Sequence, residues 1–266
     1  GTTALPEMDY LIADPVVVAD GAEPDYTEKI IRLPHSYQAN DRKRATGARA
    51  WTRAELGLPE QGFVFCCFNN SFKILPDVFA GWMRILAAVP TGVLWLLQDN
   101  ALAADNLRRA AAAAGIDPAR IVFARRAAPD DHIARHRCAD LFLDTLPYNA
   151  HTTASDALWA GLPVLTRIGR SFAGRVAASL LHAIGLPELV VDSAAAYEDR
   201  AIALARDRAA LAALRTRLEA NRMTAPLFDT ARFTRNLEAA YVAAHRRRLT
   251  GLSPDHIRIR EATGAA

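Results

Sequence analysis

The chain has 266 residues but few cysteines, few lysines and no long apolar segment. No apolar run approaches the ~20 residues that span a bilayer, and no signal peptide is visible, so we expect no membrane association. The three cysteines, Cys66, Cys67 and Cys138, lie in apolar surroundings without the spacing of metal ligands. We interpret them as small core residues in a reducing compartment, which predicts a cytoplasmic protein.

Several signatures of nucleotide and hydrolase chemistry are also missing. There is no glycine-rich phosphate loop of the Walker or dinucleotide type, no Gly-x-Ser-x-Gly elbow and no His-Glu-x-x-His. No acidic pair stands on an obvious loop, so we expect neither a metal nor another cofactor. The net charge of +3 is too small to predict binding to nucleic acid.

Short apolar segments alternate with amphipathic ones from residue 62 onward, which predicts strands and helices in turn. Strands that are apolar throughout indicate a parallel sheet covered on both faces, an α/β doubly wound fold. The predicted strands are 63–68, 93–97, 121–123, 141–143, 163–166 and 189–191. The predicted helices are 77–89, 102–115, 130–138, 153–160, 172–184, 195–220 and 231–248.

The composition changes along the chain and suggests three parts. Residues 1–60 are interpreted as the end of a preceding domain plus a linker, because residues 38–50 are polar and basic. Residues 61–230 form the predicted ligand-binding lobe. Residues 231–266 form a C-terminal helix and tail.

Residues 148–165 are the most informative stretch. They predict a polar loop after a strand, then a short helix and then another strand. Thr153 to Asp156 has the form of a capping box, which predicts a helix start. His151 and Thr152 stand beside it, where free N–H groups and the helix dipole favour an anion such as a pyrophosphate. Asp156 could accept hydrogen bonds from a sugar hydroxyl. The alternative is an ordinary capped helix with a polar loop.

Further candidates follow other predicted strands, at the edge where doubly wound sheets bind ligands. Asn70 and Lys73 follow the first strand, and the Lys73 ammonium could balance the charge of a departing phosphate. Residues 127–129 follow the third strand, and His132 or Arg135 could stack on a flat base. The alternatives are a surface lysine and a plain helix start with two first-turn acids.

Three runs carry a resemblance to a known family. They are Phe-Asn-Asn-Ser-Phe-Lys-Ile at 68–74, Asn-Ala-His-Thr-Thr-Ala-Ser-Asp-Ala-Leu-Trp-Ala-Gly-Leu-Pro-Val at 149–164, and Arg-Val-Ala-Ala-Ser at 175–179. The chain resembles the catalytic C-terminal half of O-GlcNAc transferases, a family that includes the plant SPINDLY-type proteins. The similarity extends from Met8 to Tyr241 and is closest to bacterial homologues.

The resemblance implies a GT-B glycosyltransferase whose Rossmann-like C-terminal lobe binds UDP-N-acetylglucosamine. It implies inverting, metal-independent transfer of the sugar to Ser or Thr hydroxyls of proteins. By position, Lys73 matches the catalytic lysine at the donor diphosphate, and Asp156 matches the ribose-binding aspartate. The remaining matches are His151, Thr152 and Thr153 for the diphosphate loop, and Ala127 to Pro129 with His132 and Arg135 for the uridine stretch.

The chain departs from that family at a few positions. Asn70, taken as a phosphate contact, stands where animal enzymes carry a longer carboxamide. Pro129 replaces a lysine, and Tyr148 replaces a smaller residue near the sugar pocket. The expected partners are the nucleotide sugar, a protein acceptor, and an upstream lobe and helical repeats that lie outside this chain.

Two other functions are open at this point. The first is an O-fucosyltransferase that uses GDP-fucose, or another nucleotide-sugar transferase. The second is a degenerate nucleotide-binding scaffold domain without turnover.

Overall fold

The computed structural model describes residues 2–261, which form nine strands and eight α-helices. The strands are β1 (Tyr10–Ala13), β2 (Lys29–Arg32), β3 (Val64–Cys67), β4 (Val93–Leu97), β5 (Ile121–Ala124), β6 (Leu141–Leu143), β7 (Val164–Arg167), β8 (Val190–Val191) and β9 (Ile257–Arg258). The helices are α1 (Pro76–Ala88), α2 (Ala101–Ala113), α3 (Pro129–Arg135), α4 (Thr152–Trp159), α5 (Val176–Ile184), α6 (Ala194–Arg206), α7 (Arg208–Arg222) and α8 (Thr230–Leu249).

Six strands form the main sheet in the order β5-β4-β3-β6-β7-β8, and each pairs with its neighbours in parallel. The chain adds β4 and β5 on one side of β3, and then β6, β7 and β8 on the other side. The strand order therefore reverses between β3 and β6. A crevice opens outside the carboxyl ends of the strands at such a switch point, where ligands of doubly wound folds bind. The predicted α/β, parallel, doubly wound fold is confirmed.

The sheet is buried on both faces, as its uninterrupted apolar strands require. Residues 64–67 are all buried, and the rings of Phe65, Trp82 and Trp95 are almost fully enclosed. Cys66 and Cys67 belong to this core, and Cys138 is also buried with a free thiol. Burial raises the pKa of all three thiols, so the cysteines are core residues as predicted.

The first two strands and the last strand of the described residues form a second, smaller sheet of order β1-β2-β9. Ile31 and Arg32 in β2 pair with Ile257 and Arg258 in β9, so the C-terminal tail contains a strand that the sequence did not predict. The proposed division of the chain at residues 60 and 230 stays a prediction.

One predicted helix is two helices. The sequence favours a single helix over 195–220, but α6 ends at Arg206 and α7 begins at Arg208. Asp207 separates them, because its carboxylate caps α7 by accepting a hydrogen bond from the N–H of Ala210 at 2.9 Å. None of the helices within residues 2–261 has the length and hydropathy of a membrane span.

Candidate functional site

Lys73 and His151 meet at the switch point through the ring of Tyr148. The Lys73 ammonium lies 3.9 Å from the centre of the Tyr148 ring, and that ring stacks on the His151 imidazole at a centroid distance of 4.9 Å. Lys73 Nζ also donates a hydrogen bond to the carbonyl of Asn149 at 2.9 Å. The lysine that follows the first strand of the main sheet therefore reaches the loop that carries His151.

The first turn of α4 presents backbone N–H groups without a side-chain cap. His151 occupies the cap position, and α4 begins at Thr152, so the predicted capping box is wrong. Thr153 lies inside the helix, where its hydroxyl donates a hydrogen bond to the carboxamide oxygen of Asn69 at the end of β3. The Thr152 side chain is exposed. The uncapped N–H groups and the exposed hydroxyl suit an anion.

A buried carboxylate shapes the loop before α4. Asp144 Oδ1 accepts hydrogen bonds from the N–H groups of Thr145 and Ala150, at 2.7 and 2.6 Å, and Oδ2 accepts one from the Thr166 hydroxyl at 2.6 Å. Burial raises the pKa of this carboxyl to about 7, although these hydrogen bonds oppose the shift. Asp144 therefore fixes the turn that presents Tyr148 and His151.

The two basic groups at this loop, Lys73 and His151, both have lowered pKa values. Burial lowers the pKa of Lys73, and the nearby Asp144 carboxyl acts in the opposite direction. Burial also lowers the pKa of His151, whose Nε2 lies 3.3 Å from the carbonyl of Ala173. The lowered pKa favours the neutral form of the His151 imidazole at neutral pH.

Asp156 is buried in the second turn of α4 and forms an ion pair with Arg44. Burial raises the pKa of the Asp156 carboxyl, while the hydrogen bond and the charge of Arg44 lower it. The carboxylate predicted to bind ribose therefore has a cationic partner from the segment predicted to be a linker.

α3 begins at Pro129, with Asp130 and Asp131 in its first turn as the alternative interpretation predicts. Its two candidate base-stacking side chains differ in exposure. His132 is partly exposed, and its ring lies 5.2 Å from that of Phe68. Arg135 is buried, with its guanidinium 4.7 Å from the Phe68 ring centre and hydrogen-bonded to the carbonyl of Arg125. Arg135 therefore faces the core, and His132 is the better candidate for stacking.

Burial lowers the pKa of His132 to about 4, and the positive charges of Arg135 and Arg44 act in the same direction. His132 is thus a neutral ring at physiological pH. Asn70, Ala127 and Pro129 are exposed at the ends of β3 and β5. All the predicted site residues therefore lie on the segments that follow β3, β5 and β6.

A cavity of about 450 Å³ opens at the same edge of the sheet. α1 and α6 form two of its walls, and Asp144, Leu146, Pro147 and Arg167 form another. Its volume is in the range of small-molecule sites. Within residues 2–261, no group of three or more His, Cys, Asp or Glu side chains is arranged to hold a metal ion.

Two residues of the site, Asp144 and Arg44, are not among the candidates that the sequence indicates. Asp144 directly follows the fully buried strand β6, and an acid at such a position indicates the carboxyl edge of the sheet. Arg44 lies in a polar segment whose composition is that of a solvated linker, so no sequence signal distinguishes it from its neighbours.

A doubly wound parallel sheet with polar side chains gathered at its switch point fits the fold of GT-B glycosyltransferases. Comparison with known proteins identifies the group: residues 43–237 match glycosyl transferase family 41, and the chain belongs to this family.

Individual relatives agree with this assignment. The chain is 39% identical over 267 residues to an Arabidopsis thaliana protein named "Probable UDP-N-acetylglucosamine--peptide N-acetylglucosaminyltransferase SEC", with 98% of the chain covered. It is 34% identical over 259 residues to the tomato (Solanum lycopersicum) protein of the same name ending in SPINDLY, with 95% covered. The chain spans 27% of the length of each of these plant proteins.

A solved structure supports the fold. The chain superposes on an O-GlcNAc transferase mutant of Thermobaculum terrenum with a TM-score of 0.82 and 35% sequence identity. The match covers 90% of this chain and 45% of that one. The resemblance to O-GlcNAc transferases and the GT-B-type fold are thereby confirmed.

Proposed function

We propose that this chain is the donor-binding lobe of a transferase that moves N-acetylglucosamine from UDP-N-acetylglucosamine to Ser or Thr hydroxyls of proteins. The meeting of Lys73, His151 and the uncapped start of α4 at one crevice carries the proposal. The names of the relatives supply the donor and the acceptor class.

The nucleotide would lie along the carboxyl edge of the sheet. Its base would stack near His132, its ribose would contact Asp156, and its diphosphate would lie at Thr152 and Thr153. The base would thus lie beside the segment that follows β5, the ribose beside the second turn of α4, and the diphosphate beside the first turn of α4. The sugar would then point toward Lys73 and Tyr148.

The chemical step in this proposal is an inverting displacement without a metal. The acceptor oxygen attacks the anomeric carbon and loses its proton to a base, while the bond from that carbon to the diphosphate oxygen breaks. The electron pair of that bond leaves with UDP. Lys73 and the N–H groups of α4 would stabilise the negative charge as it develops, which is where electrostatic stabilisation lowers a barrier most.

A thermal-shift comparison of UDP, UDP-N-acetylglucosamine, GDP and GDP-fucose tests the donor assignment. A ligand that binds only the folded protein raises its melting temperature with concentration. We expect both uridine ligands to raise it, and Lys73→Ala to weaken the effect, whereas Lys29→Ala in β2 should leave it unchanged. Stabilisation by the guanosine ligands alone would indicate the fucosyltransferase alternative, and no effect of any ligand would indicate a scaffold domain.

A further inference from the structure

The polar segment 38–51 is a strap across the helices of the candidate nucleotide site. Asn40 accepts a hydrogen bond from the Ser155 hydroxyl of α4 at 2.6 Å, and the carbonyl of Arg44 accepts one from Trp159 Nε1 at 3.1 Å. At its far end, Trp51 Nε1 donates to the carbonyl of Asp131 in α3 at 3.2 Å. The strap is therefore attached to both helices that carry the predicted nucleoside contacts.

A glycine allows the strap to approach α3 closely. Gly47 has a φ of +71°, and a Cβ at this position would clash with the carbonyl oxygen of Asp130. Arg137 donates hydrogen bonds to the carbonyls of Thr46 and Gly47, at 3.0 and 3.3 Å. These contacts fix the path of the strap just after Arg44.

Arg44 is the charged group that the strap brings to the site. Its guanidinium pairs with Asp156, and its side chain is one-third exposed whereas that of Asp156 is 8% exposed. The positive charge of Arg44 also acts on His132 in α3. Arg44 therefore acts both on the group predicted to contact the ribose and on the ring predicted to contact the base.

Burial of a carboxylate without a partner raises its pKa and favours the protonated form. The protonated form has one O–H donor and fewer free acceptor sites than the carboxylate. A protonated Asp156 would accept fewer hydrogen bonds from ribose hydroxyls, and hydrogen bonds to a charged acceptor are the stronger ones. An ion pair with a fixed guanidinium keeps the carboxylate charged and orients its oxygens.

We propose that Arg44 is a positioning residue of the nucleotide site, which holds the Asp156 carboxylate ready to accept hydrogen bonds from the ribose hydroxyls of the donor. This inference rests on the proposed function, because it requires that the chain binds a nucleotide. Arg44 acts through Asp156 and not on the reacting bond.

Calorimetric titration with UDP and with 2′,3′-dideoxy-UDP separates this role from a merely structural one. We expect wild-type protein to bind UDP about 10-fold or more tightly than the dideoxy analogue, as expected for a hydrogen bond to a charged group. Arg44→Ala should reduce this ratio toward one by weakening UDP binding alone, and Arg44→Lys should restore part of it.

Arg42→Ala provides a matched control on the same strap. Arg42 donates a hydrogen bond to the carbonyl of Met223 at the end of α7, and within residues 2–261 it makes no hydrogen bond or ion pair with α4, so its loss should leave the ratio unchanged. In an Asp156→Ala background the ratio should be close to one, and adding Arg44→Ala should not change it further. This double variant keeps the test valid if Arg44→Ala alone lowers the melting temperature.

Each remaining outcome overturns a different claim. An unchanged ratio in Arg44→Ala would show that Arg44 does not position Asp156. Tighter UDP binding by Arg44→Ala would show that the arginine competes with the ribose, which also contradicts the proposal. If wild-type protein binds no uridine nucleotide, the proposed function itself fails.

Discussion

The Thr153 hydroxyl donates a hydrogen bond to the carboxamide oxygen of Asn69 and so links the first turn of α4 to the end of β3. Asn69 is buried and donates in turn to the Thr145 hydroxyl at 2.8 Å. One carboxamide therefore holds together the segments that carry Lys73 and His151.

This link predicts that substitution of Thr153 lowers stability, whereas substitution of the adjacent Thr152 weakens UDP binding. Thr153→Val leaves the Asn69 oxygen buried without a donor, so we expect a loss of about 1–3 kcal/mol in the free energy of unfolding. Thr152→Val changes an exposed hydroxyl and should affect stability little while weakening UDP binding. Chemical denaturation and calorimetric titration measure the two quantities. Equal effects of both variants on stability would contradict the role assigned to Asn69.

Lys73 is predicted to act mainly in the transition state. In an active form of the protein, we expect Lys73→Ala to lower kcat by about 10²–10³-fold, the range seen when one charge-stabilising group is removed. UDP affinity should fall much less, and Lys73→Arg should retain part of the rate because it keeps the charge. Steady-state kinetics and equilibrium titration of UDP test this. Equal losses in rate and affinity would remove Lys73 from the transition state.

The scarcity of lysine allows a direct test of where the diphosphate binds. The chain has three lysines, Lys29, Lys43 and Lys73, and of their described side-chain amines Lys73 Nζ is the one hydrogen-bonded to the loop that carries His151. Because burial lowers the pKa of Lys73, more of its amine is neutral and nucleophilic near pH 8 than for an ordinary lysine. We expect UDP to slow acylation of Lys73, followed by mass spectrometry. Lys29 and Lys43 serve as internal controls, and uniform protection of all three would contradict the assigned site.

The buried carboxyl of Asp144 predicts a defined pH dependence of stability. Its pKa is about 7 in the folded protein and ~3.9 in an unfolded chain. Between these values the folded state holds a proton that the unfolded state has released, so this group's stabilising contribution is present at low pH and is lost as pH rises to about 7.

Asp144→Asn removes this titration while keeping an acceptor oxygen for the two backbone N–H groups. The quantity to compare is the difference in the free energy of unfolding between wild type and Asp144→Asn. We expect this difference to fall by more than about 1.4 kcal/mol from pH 5 to pH 8, which corresponds to a tenfold change in proton affinity. Denaturation curves at a series of pH values measure it. Asp105→Asn, at an exposed position on α2, should run parallel to wild type; a parallel curve for Asp144→Asn would refute the assignment.

The main sheet was predictable because its strands are apolar along their whole length and are separated by helical segments. The meeting of Lys73 and His151 followed from the same pattern, since the carboxyl ends of parallel strands share one edge. Strand β9 was not predictable, because two residues carry no periodicity and its pairing with β2 depends on a partner more than 200 positions away.

Side-chain partners within the site were less predictable than its location. Thr153 has the sequence context of a helix cap, but its hydroxyl donates a hydrogen bond to the carboxamide oxygen of Asn69 instead of capping α4. Arg135 is a candidate for stacking on a base from its sequence position, but its guanidinium packs over the buried ring of Phe68. In both cases a tertiary contact outweighs a local preference, and such contacts are not visible in one sequence.

The three-stranded sheet is assembled from the two ends of the described chain, and this arrangement limits how the molecule can flex. Two covalent connections run from this sheet to the rest of the molecule, one after β2 and one between α8 and β9. The small sheet also shares the main core, because Ala13 of β1 and Ile30 of β2 are buried in it. Directly after β1, the Asp14 carboxylate accepts a hydrogen bond from the Ser179 hydroxyl of α5 at 2.7 Å. Any opening of the crevice that moves the small sheet would therefore have to separate buried apolar contacts as well as bend two connections.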